Sequence, residues 1–129
     1  MRTFLTLSLL AIAACGGRGE SEEPDQPDVV CTMEARSALL VTVLDAHTGA
    51  RVHGATVRAT TVDHAENLAE FDGQYSGAHE RAGTYTVVVS HPDYQQWQRA
   101  GIVVERDECH VISEQVEARL TRREPTGSG

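Results

Sequence analysis

The fold is decided by Ala38-Leu-Leu-Val-Thr-Val-Leu-Asp45, the turn Ala46-His-Thr-Gly-Ala50 and the segment Gly54-Ala-Thr-Val-Arg-Ala-Thr-Thr61. The first segment is a run of mostly apolar residues, which predicts a strand from about Ala38 to Asp45. Gly49 can adopt the positive φ that a turn requires. Apolar and polar residues alternate in the third segment, which predicts a second strand with one dry face and one wet face.

The rest of the chain repeats this pattern of short strands and turns. Phe71-Asp-Gly-Gln-Tyr75 predicts a hairpin, because Asp-Gly suits a tight turn at positive φ. Val62 to Glu70 fits either a helical turn or a polar strand, and we favour an irregular edge strand. Further strands are predicted at 85–90, 95–104 and 111–120. Six or seven short strands at about ten-residue intervals, with no convincing helix, predict an all-β fold, an antiparallel sandwich.

Size and charge limit what the protein can be. A chain of 129 residues, 40% of them hydrophobic, is long enough for one domain with one core. Only 5% of the residues are aromatic, so this core is expected to consist mainly of Val, Leu, Ile and Ala. The formal net charge of -8 predicts no strong attraction to nucleic acid. A cationic partner or a divalent ion is compatible with this charge.

The chain begins with a segment typical of export. Arg2 precedes an apolar run from Phe4 to Ala11, and Ile12-Ala-Ala-Cys15 ends the run with small residues before a cysteine. The run is shorter than the ~20 residues that span a bilayer. The tetrapeptide resembles the lipobox of bacterial lipoproteins. This resemblance implies that residues 1–14 are a signal peptide and that Cys15 becomes an N-terminus carrying fatty acyl chains such as palmitate. The alternative is an ordinary secretory leader that contains a cysteine.

Residues 15–30 are expected to form a disordered acidic linker. They are rich in Gly, Pro, Asp and Glu and offer little apolar surface to bury, so they are typical of a solvated tether, although a binding tail has a similar composition. Several acyl chains on Cys15 would anchor the protein stably, since each buried CH2 contributes about 0.8 kcal/mol. Gly16 stands where the inner-membrane retention signal has Asp. The expected location is therefore the cell envelope, at the outer membrane of a Gram-negative bacterium.

The two remaining cysteines, Cys31 and Cys109, form an even pair in an exported and therefore oxidising setting. We predict a disulfide between them, which would close a loop of about 79 residues and stabilise the fold by roughly 4.5 kcal/mol in the loop-entropy model. The alternative is two separate buried thiols.

Several short motifs resemble a known domain family. They are Val41-Thr-Val-Leu-Asp45, Thr48-Gly49, Val52-His-Gly-Ala-Thr-Val57, Asp72-Gly-Gln-Tyr75, Ala82-Gly-Thr-Tyr-Thr-Val87 and Asp93-Tyr94. In order and spacing they resemble the carboxypeptidase regulatory-like domain, and the resemblance covers about Ala38 to Leu120. It implies a seven-stranded transthyretin-like Greek-key sandwich, which we place at residues 31–121, with a disordered tail at 122–129. It implies no activity, because this domain is best known as the non-catalytic companion of a zinc carboxypeptidase. The family's usual Gly-Tyr is Asp93-Tyr94 here.

The residues that could perform chemistry form no catalytic motif. The six histidines, at 47, 53, 64, 79, 91 and 110, lack the spacing that places two metal ligands on one helical face, and no paired cysteine ligands accompany them. No Gly-x-Ser-x-Gly elbow is present, and Cys109-His110 is better explained by the disulfide. The Tyr-Arg-Gly-Ser ending of transthyretin-like purine-pathway hydrolases is also missing. Tyr94 and Trp97 are a candidate binding patch for a sugar or peptide, but such residues also serve as core or rim residues in sandwiches.

The sequence therefore predicts a membrane-anchored envelope lipoprotein with a non-catalytic binding or structural module that needs no cofactor. Its candidate partners are an envelope protein, a peptide or a glycan, recruited by an exposed sheet edge or by loops at one end. The alternative is a small metal-dependent enzyme or metal-binding protein that uses loop histidines.

Overall fold

The computed structural model describes residues 30–124, which form two four-stranded sheets packed into a sandwich. The strands are β1 (Leu39–Asp45), β2 (Thr56–Thr60), β3 (Ala65–Asn67), β4 (Ala69–Phe71), β5 (Gln74–Gly77), β6 (Gly83–His91), β7 (Tyr94–Val104) and β8 (Glu114–Leu120). One sheet has the order β4-β5-β1-β8 and the other β3-β2-β6-β7. The predicted all-β sandwich is confirmed. The predicted signal peptide, residues 15–29 of the linker and residues 125–129 lie outside the described residues.

Alternation along the strands places one face of each sheet in a shared core. Every second residue of β1 is buried, and β6 has the same pattern from Tyr85 to Val89. The largest fully buried side chains are Leu39, Val41, Val43, Val57, Tyr75, Tyr85, Val87, Val89, Val111 and Leu120. Burial of one such side chain stabilises the fold by about 1.5–3 kcal/mol. The period-two pattern read from the sequence therefore identifies the main source of stability.

One pair of strands departs from the predicted antiparallel arrangement. β8 runs parallel to β1, in a regular register from Leu39 opposite Glu114 to Asp45 opposite Leu120. The cause is the loop 105–113, which leaves β7 in one sheet and crosses to the other sheet at the end of the sandwich where β1 begins. β8 consequently starts beside the start of β1 and runs in the same direction.

The uncertain segment from Val62 to Glu70 contains two edge strands, which is why eight strands are present where seven were expected. β3 and β4 have three residues each and belong to different sheets. Leu68 lies between them and is buried, and its N–H donates to the carbonyl of Val57 at 2.8 Å. The chain crosses from one sheet to the other here and so closes this side of the sandwich.

The opposite side of the sandwich is bordered by β7 and β8. The register between β6 and β7 shifts at Tyr85/Val87 and at Val89/His91. At each shift β7 uses three residues where β6 uses two, so β7 contains two bulges. The first bulge lets Tyr94 and Trp97, three residues apart, both turn towards the core. Gly101 lies in the second bulge with φ of 74°.

The two ends of the sandwich have different roles. The entry end contains the incoming residues 30–38 and the loops 78–82 and 105–113. The turn end contains segments 46–55, 72–73, 92–93 and 121–123. At the entry end Cys31 and Cys109 form the predicted disulfide, with their Cα atoms 5.2 Å apart. At the turn end Arg123 donates its N–H to the carbonyl of Asp93 at 3.0 Å. The hydrogen bonds of the turn end therefore include a residue after Thr121.

Candidate functional site

A buried carboxylate organises the turn end. Asp45, the last residue of β1, is only 2% exposed. Its Oδ1 accepts the backbone N–H groups of His47 at 2.8 Å and Thr48 at 2.9 Å. Its Oδ2 accepts the Tyr94 hydroxyl at 2.7 Å and Nε of Arg122 at 3.0 Å. These bonds, led by the one from Thr48, hold the pKa of Asp45 well below its usual range. Asp45 is therefore an ionised structural anchor that ties β1 to β7 and to the segment after β8.

Tyr94 and Trp97, the candidate binding patch, lie in different environments at the turn end and along β7. Tyr94 is 6% exposed, and its hydroxyl is used by Asp45. The guanidinium of Arg122 lies 5.3 Å from the centroid of the Tyr94 ring, and the ring of His91 makes a T-shaped contact with it at 5.2 Å. Trp97 is half-buried against the core, with the guanidinium of Arg99 at 5.7 Å. Tyr94 is thus a core residue, one of the roles left open for it, and Trp97 is a rim residue of β7.

Most of the histidines make separate structural hydrogen bonds. The contacts are His53 with Glu70, His64 with Glu66, His79 with Ser37, His91 with the carbonyl of His53, and His110 with Glu80 and Thr32. His47 is exposed in the first turn. Across residues 30–124, no three His, Cys, Asp or Glu side chains are placed to hold a metal ion. The arrangement therefore gives no support to the alternative of a histidine-based metal enzyme.

A second carboxylate organises the entry end. Oε1 of Glu80 accepts the N–H of Arg36 at 2.9 Å and Nδ1 of His110 at 2.6 Å, and Oε2 accepts the N–H of Val111 at 3.1 Å. These contacts, the one from Arg36 first, lower the pKa of Glu80 to about 2. His110 is 7% exposed, and its Nε2 lies 2.9 Å from Oγ1 of Thr32. The cluster fastens the incoming chain beside the disulfide.

No functional role was predicted for Asp45, Glu80 or Arg122 from the sequence. Asp45 had a readable signal, because an Asp that precedes a turn can accept backbone N–H groups two and three residues later. The partners of Glu80 lie 44, 30 and 31 residues away, at Arg36, His110 and Val111. No local pattern reveals contacts of that separation.

An open cleft of about 260 Å³ lies at the turn end, between β2 and the β6–β7 turn. Its lining residues are Gly54, Thr56, Ser90, His91, Pro92 and Arg123. Nδ1 of His91 accepts the N–H of Asp93 at 3.1 Å, so Nε2 carries the proton and donates to the carbonyl of His53 at 3.2 Å. Both ring nitrogens are thereby used within the protein. The imidazole, held by these two bonds, forms one wall of the cleft.

The main chain of β8 is hydrogen-bonded on one side only. The N–H of Glu114 donates to the carbonyl of Ala38 at 2.9 Å, and the carbonyl of Leu120 accepts the N–H of Ala46 at 2.8 Å. Because successive residues of a strand direct these groups to opposite sides, the even-numbered residues from 114 to 120 face β1. The odd-numbered residues Gln115, Glu117 and Arg119 therefore direct N–H and C=O away from the sheet. Within the described part of the chain, no other strand pairs with this side of β8.

The segment after β8 shows the same alternation. The carbonyl of Thr121, the next odd-numbered residue, accepts the N–H of Gln95 at 2.8 Å. β7 is thus hydrogen-bonded on this side only beyond the last residue of β8, although it also passes close to β8 itself. From Gln115 to Arg119 this edge is a row of main-chain donors and acceptors to which no strand of residues 30–124 is hydrogen-bonded.

Within residues 30–124 the structure has no helix with the length and hydropathy needed to cross a membrane.

The family of the chain follows from comparison with known proteins. No curated protein matches the sequence. The family model of the carboxypeptidase regulatory-like domain matches residues 38–119, which extend from the residue before β1 to the penultimate residue of β8. This match covers more than half of the chain and coincides with the sandwich, so the chain belongs to the carboxypeptidase regulatory-like domain family.

Proposed function

We propose that this protein is a lipid-anchored component of the bacterial cell envelope whose regulatory-like domain acts by binding another molecule and not by catalysis. The observation that carries the proposal is the edge of the sandwich at β8, where main-chain groups have no strand hydrogen-bonded to them within the described residues. Such an edge can recruit an extended partner through backbone hydrogen bonds.

The state of the buried polar groups supports binding over catalysis. A general acid or base works best with a pKa near the operating pH. The pKa values of Asp45 and Glu80 are instead far below that range, because each carboxylate accepts several hydrogen bonds from its own fold. The pKa of Glu70 is likewise lowered, first by the N–H of Gly54 and then by His53, and the pKa of Glu66 is lowered first by His64. These groups hold the sandwich together and are not poised for proton transfer.

The sequence before the domain supports the anchor. Ile12-Ala-Ala-Cys15 resembles a lipobox, and the acidic Gly- and Pro-rich residues that follow are suited to a solvated tether. A disulfide between Cys31 and Cys109 fits an exported protein, because such bonds persist in oxidising compartments. The tether would present the sandwich to partners in the envelope, with the outer membrane as the proposed site.

Membrane fractionation with metabolic fatty-acid labelling tests the anchor. The native chain and a Ser21→Ala control should be recovered in the membrane fraction and should incorporate label. Cys15→Ala should lose the label and leave the membrane fraction. Label or membrane recovery that persists in Cys15→Ala would refute the anchor.

A pull-down from solubilised envelope tests binding, with the full lipidated chain as bait and residues 1–30 alone as the control. We expect a component recovered in stoichiometric amount by the full chain and not by the control. Equal recovery by the two baits would show that the sandwich does not bind it.

A further inference from the structure

The four edge strands of the sandwich differ in their capacity to accept another strand. β3 and β4 have three residues each, and the chain itself closes their side at Leu68. β7 is long, but its two bulges interrupt the ladder, and bulges of this kind protect an edge from pairing. β8 pairs with β1 over seven successive residues without a register shift. It is the one edge within residues 30–124 that is both regular and long enough for a partner strand.

We propose that β8 binds an extended, net-basic segment of another polypeptide, which adds to the sheet as a fifth strand beside it. This inference rests on the proposed binding function and specifies the partner. The main-chain groups of Gln115, Glu117 and Arg119 would pair with alternate residues of the incoming segment, as they point away from β1. Backbone pairing gives affinity, and the side chains opposite Glu117 and Arg119 give selectivity.

Charge favours a basic partner over two alternatives, which are the linker of this chain and a second copy of the chain. The linker of this chain precedes Val30 at the entry end, near the start of β8, but it carries five acidic residues and two prolines, and proline cannot complete a strand ladder. A second copy would bring another net charge of -8. Glu117 on this edge is already paired with Nε of Arg119 at 2.8 Å, so the exposed Glu114 and the net charge of -8 are what favour cations in the partner.

Hydrogen exchange on the full chain in detergent micelles tests the inference with a defined probe. The probe is a blocked heptapeptide of alternating Lys and Val, and its counterpart has Glu in place of Lys. The Lys peptide should slow exchange of the amides of Gln115, Glu117 and Arg119 at least tenfold, and the Glu peptide should not. Protection located on β7 instead, or equal protection by both peptides, would overturn the proposal.

Two variants at Glu117 distinguish the contribution of the backbone to binding from that of the side chain. Glu117→Pro removes an outward N–H and no bond to β1, so affinity for the Lys peptide should fall at least tenfold. Glu117→Ala keeps the outward N–H but removes the carboxylate and leaves Arg119 without that ion-pair partner, so it should weaken binding of the Lys peptide about threefold, with the exchange pattern of β1 preserved in both variants. Equal affinities of Glu117→Pro and Glu117→Ala would contradict strand addition.

The remaining outcomes are also decisive. Self-association of the chain in sedimentation that the Lys peptide does not reverse would identify a second copy as the occupant and overturn the proposal. Failure of the peptide assay in a chain that still fractionates with membranes through Cys15 would reject the β8 site and leave the anchored protein intact. Loss of membrane association would reject the anchor and leave the peptide result unaffected.

Discussion

At the scale of single residues, Asp45 stabilises the sandwich through bonds that only its ionised form can accept. Tyr94→Phe removes the hydroxyl that donates to Oδ2 at 2.7 Å. We expect the free energy of unfolding to fall by about 1–3 kcal/mol, since a hydrogen bond to a charged acceptor is among the stronger kinds. Urea unfolding measures this free energy. Tyr85→Phe is the matched control, because its hydroxyl donates to the neutral carbonyl of Arg81 and should cost only about 0.5–1.5 kcal/mol. A larger loss in the control would contradict the role of Asp45.

Glu80 makes stability depend on pH in the acid range. Its pKa falls from 4.5 to about 2 on folding, so the unfolded chain takes up the proton first as the pH decreases. The stabilisation is complete above pH 4.5 and is lost as the pH falls towards 2. We expect the urea midpoint of the native protein to fall over this window and that of Glu80→Gln to fall less steeply. Parallel curves for the two proteins would show that Glu80 does not contribute.

At the scale of elements, the second bulge of β7 depends on a glycine. Gly101 has φ of 74°, and a Cβ there would meet no atom within 4 Å, so only the backbone conformation opposes a side chain. Gly101→Ala should therefore lower the free energy of unfolding by about 1–2 kcal/mol. Ala100→Gly, at the neighbouring exposed position, is the control and should cost about 0.5–1 kcal/mol. An unchanged unfolding midpoint in Gly101→Ala would mean that the bulge does not need the left-handed conformation.

The strands differ in how far the sequence could predict them. β1, β6 and the hairpin at Asp72-Gly73 follow from alternation and turn chemistry, which are local signals, and each lies where it was predicted. The parallel pairing of β1 and β8 depends on contacts between residues 75 positions apart, as between Leu39 and Glu114. The division of 62–70 into two strands depends on Leu68 reaching the core. Neither has a local signal, and the open edge of β8 could be recognised only once this topology was known.

At the scale of the whole molecule, the disulfide joins the incoming chain to the loop before β8, across a separation of 78 residues. A closed loop of this size stabilises a fold by about 4.5 kcal/mol in the chain-entropy model, and loss of such bonds from small secreted domains costs about 2–5 kcal/mol. The double variant Cys31→Ser, Cys109→Ser should lose stability in that range. Reduction of the native protein should reproduce the loss. In both cases residues 31–37 should exchange amide hydrogens faster than β1, because they belong to no strand.

We propose that the sandwich binds its partners along the edge of β8. A photo-crosslinking residue at Gln115 in intact cells would capture such a partner. Gln74 is the matched control position, because both are exposed glutamines on the same face of the same sheet. We predict a discrete adduct from Gln115 that is absent from Gln74 and that disappears in Glu117→Pro but persists in Glu117→Ala. An adduct of equal yield from both positions, or one that survives Glu117→Pro, would contradict the account.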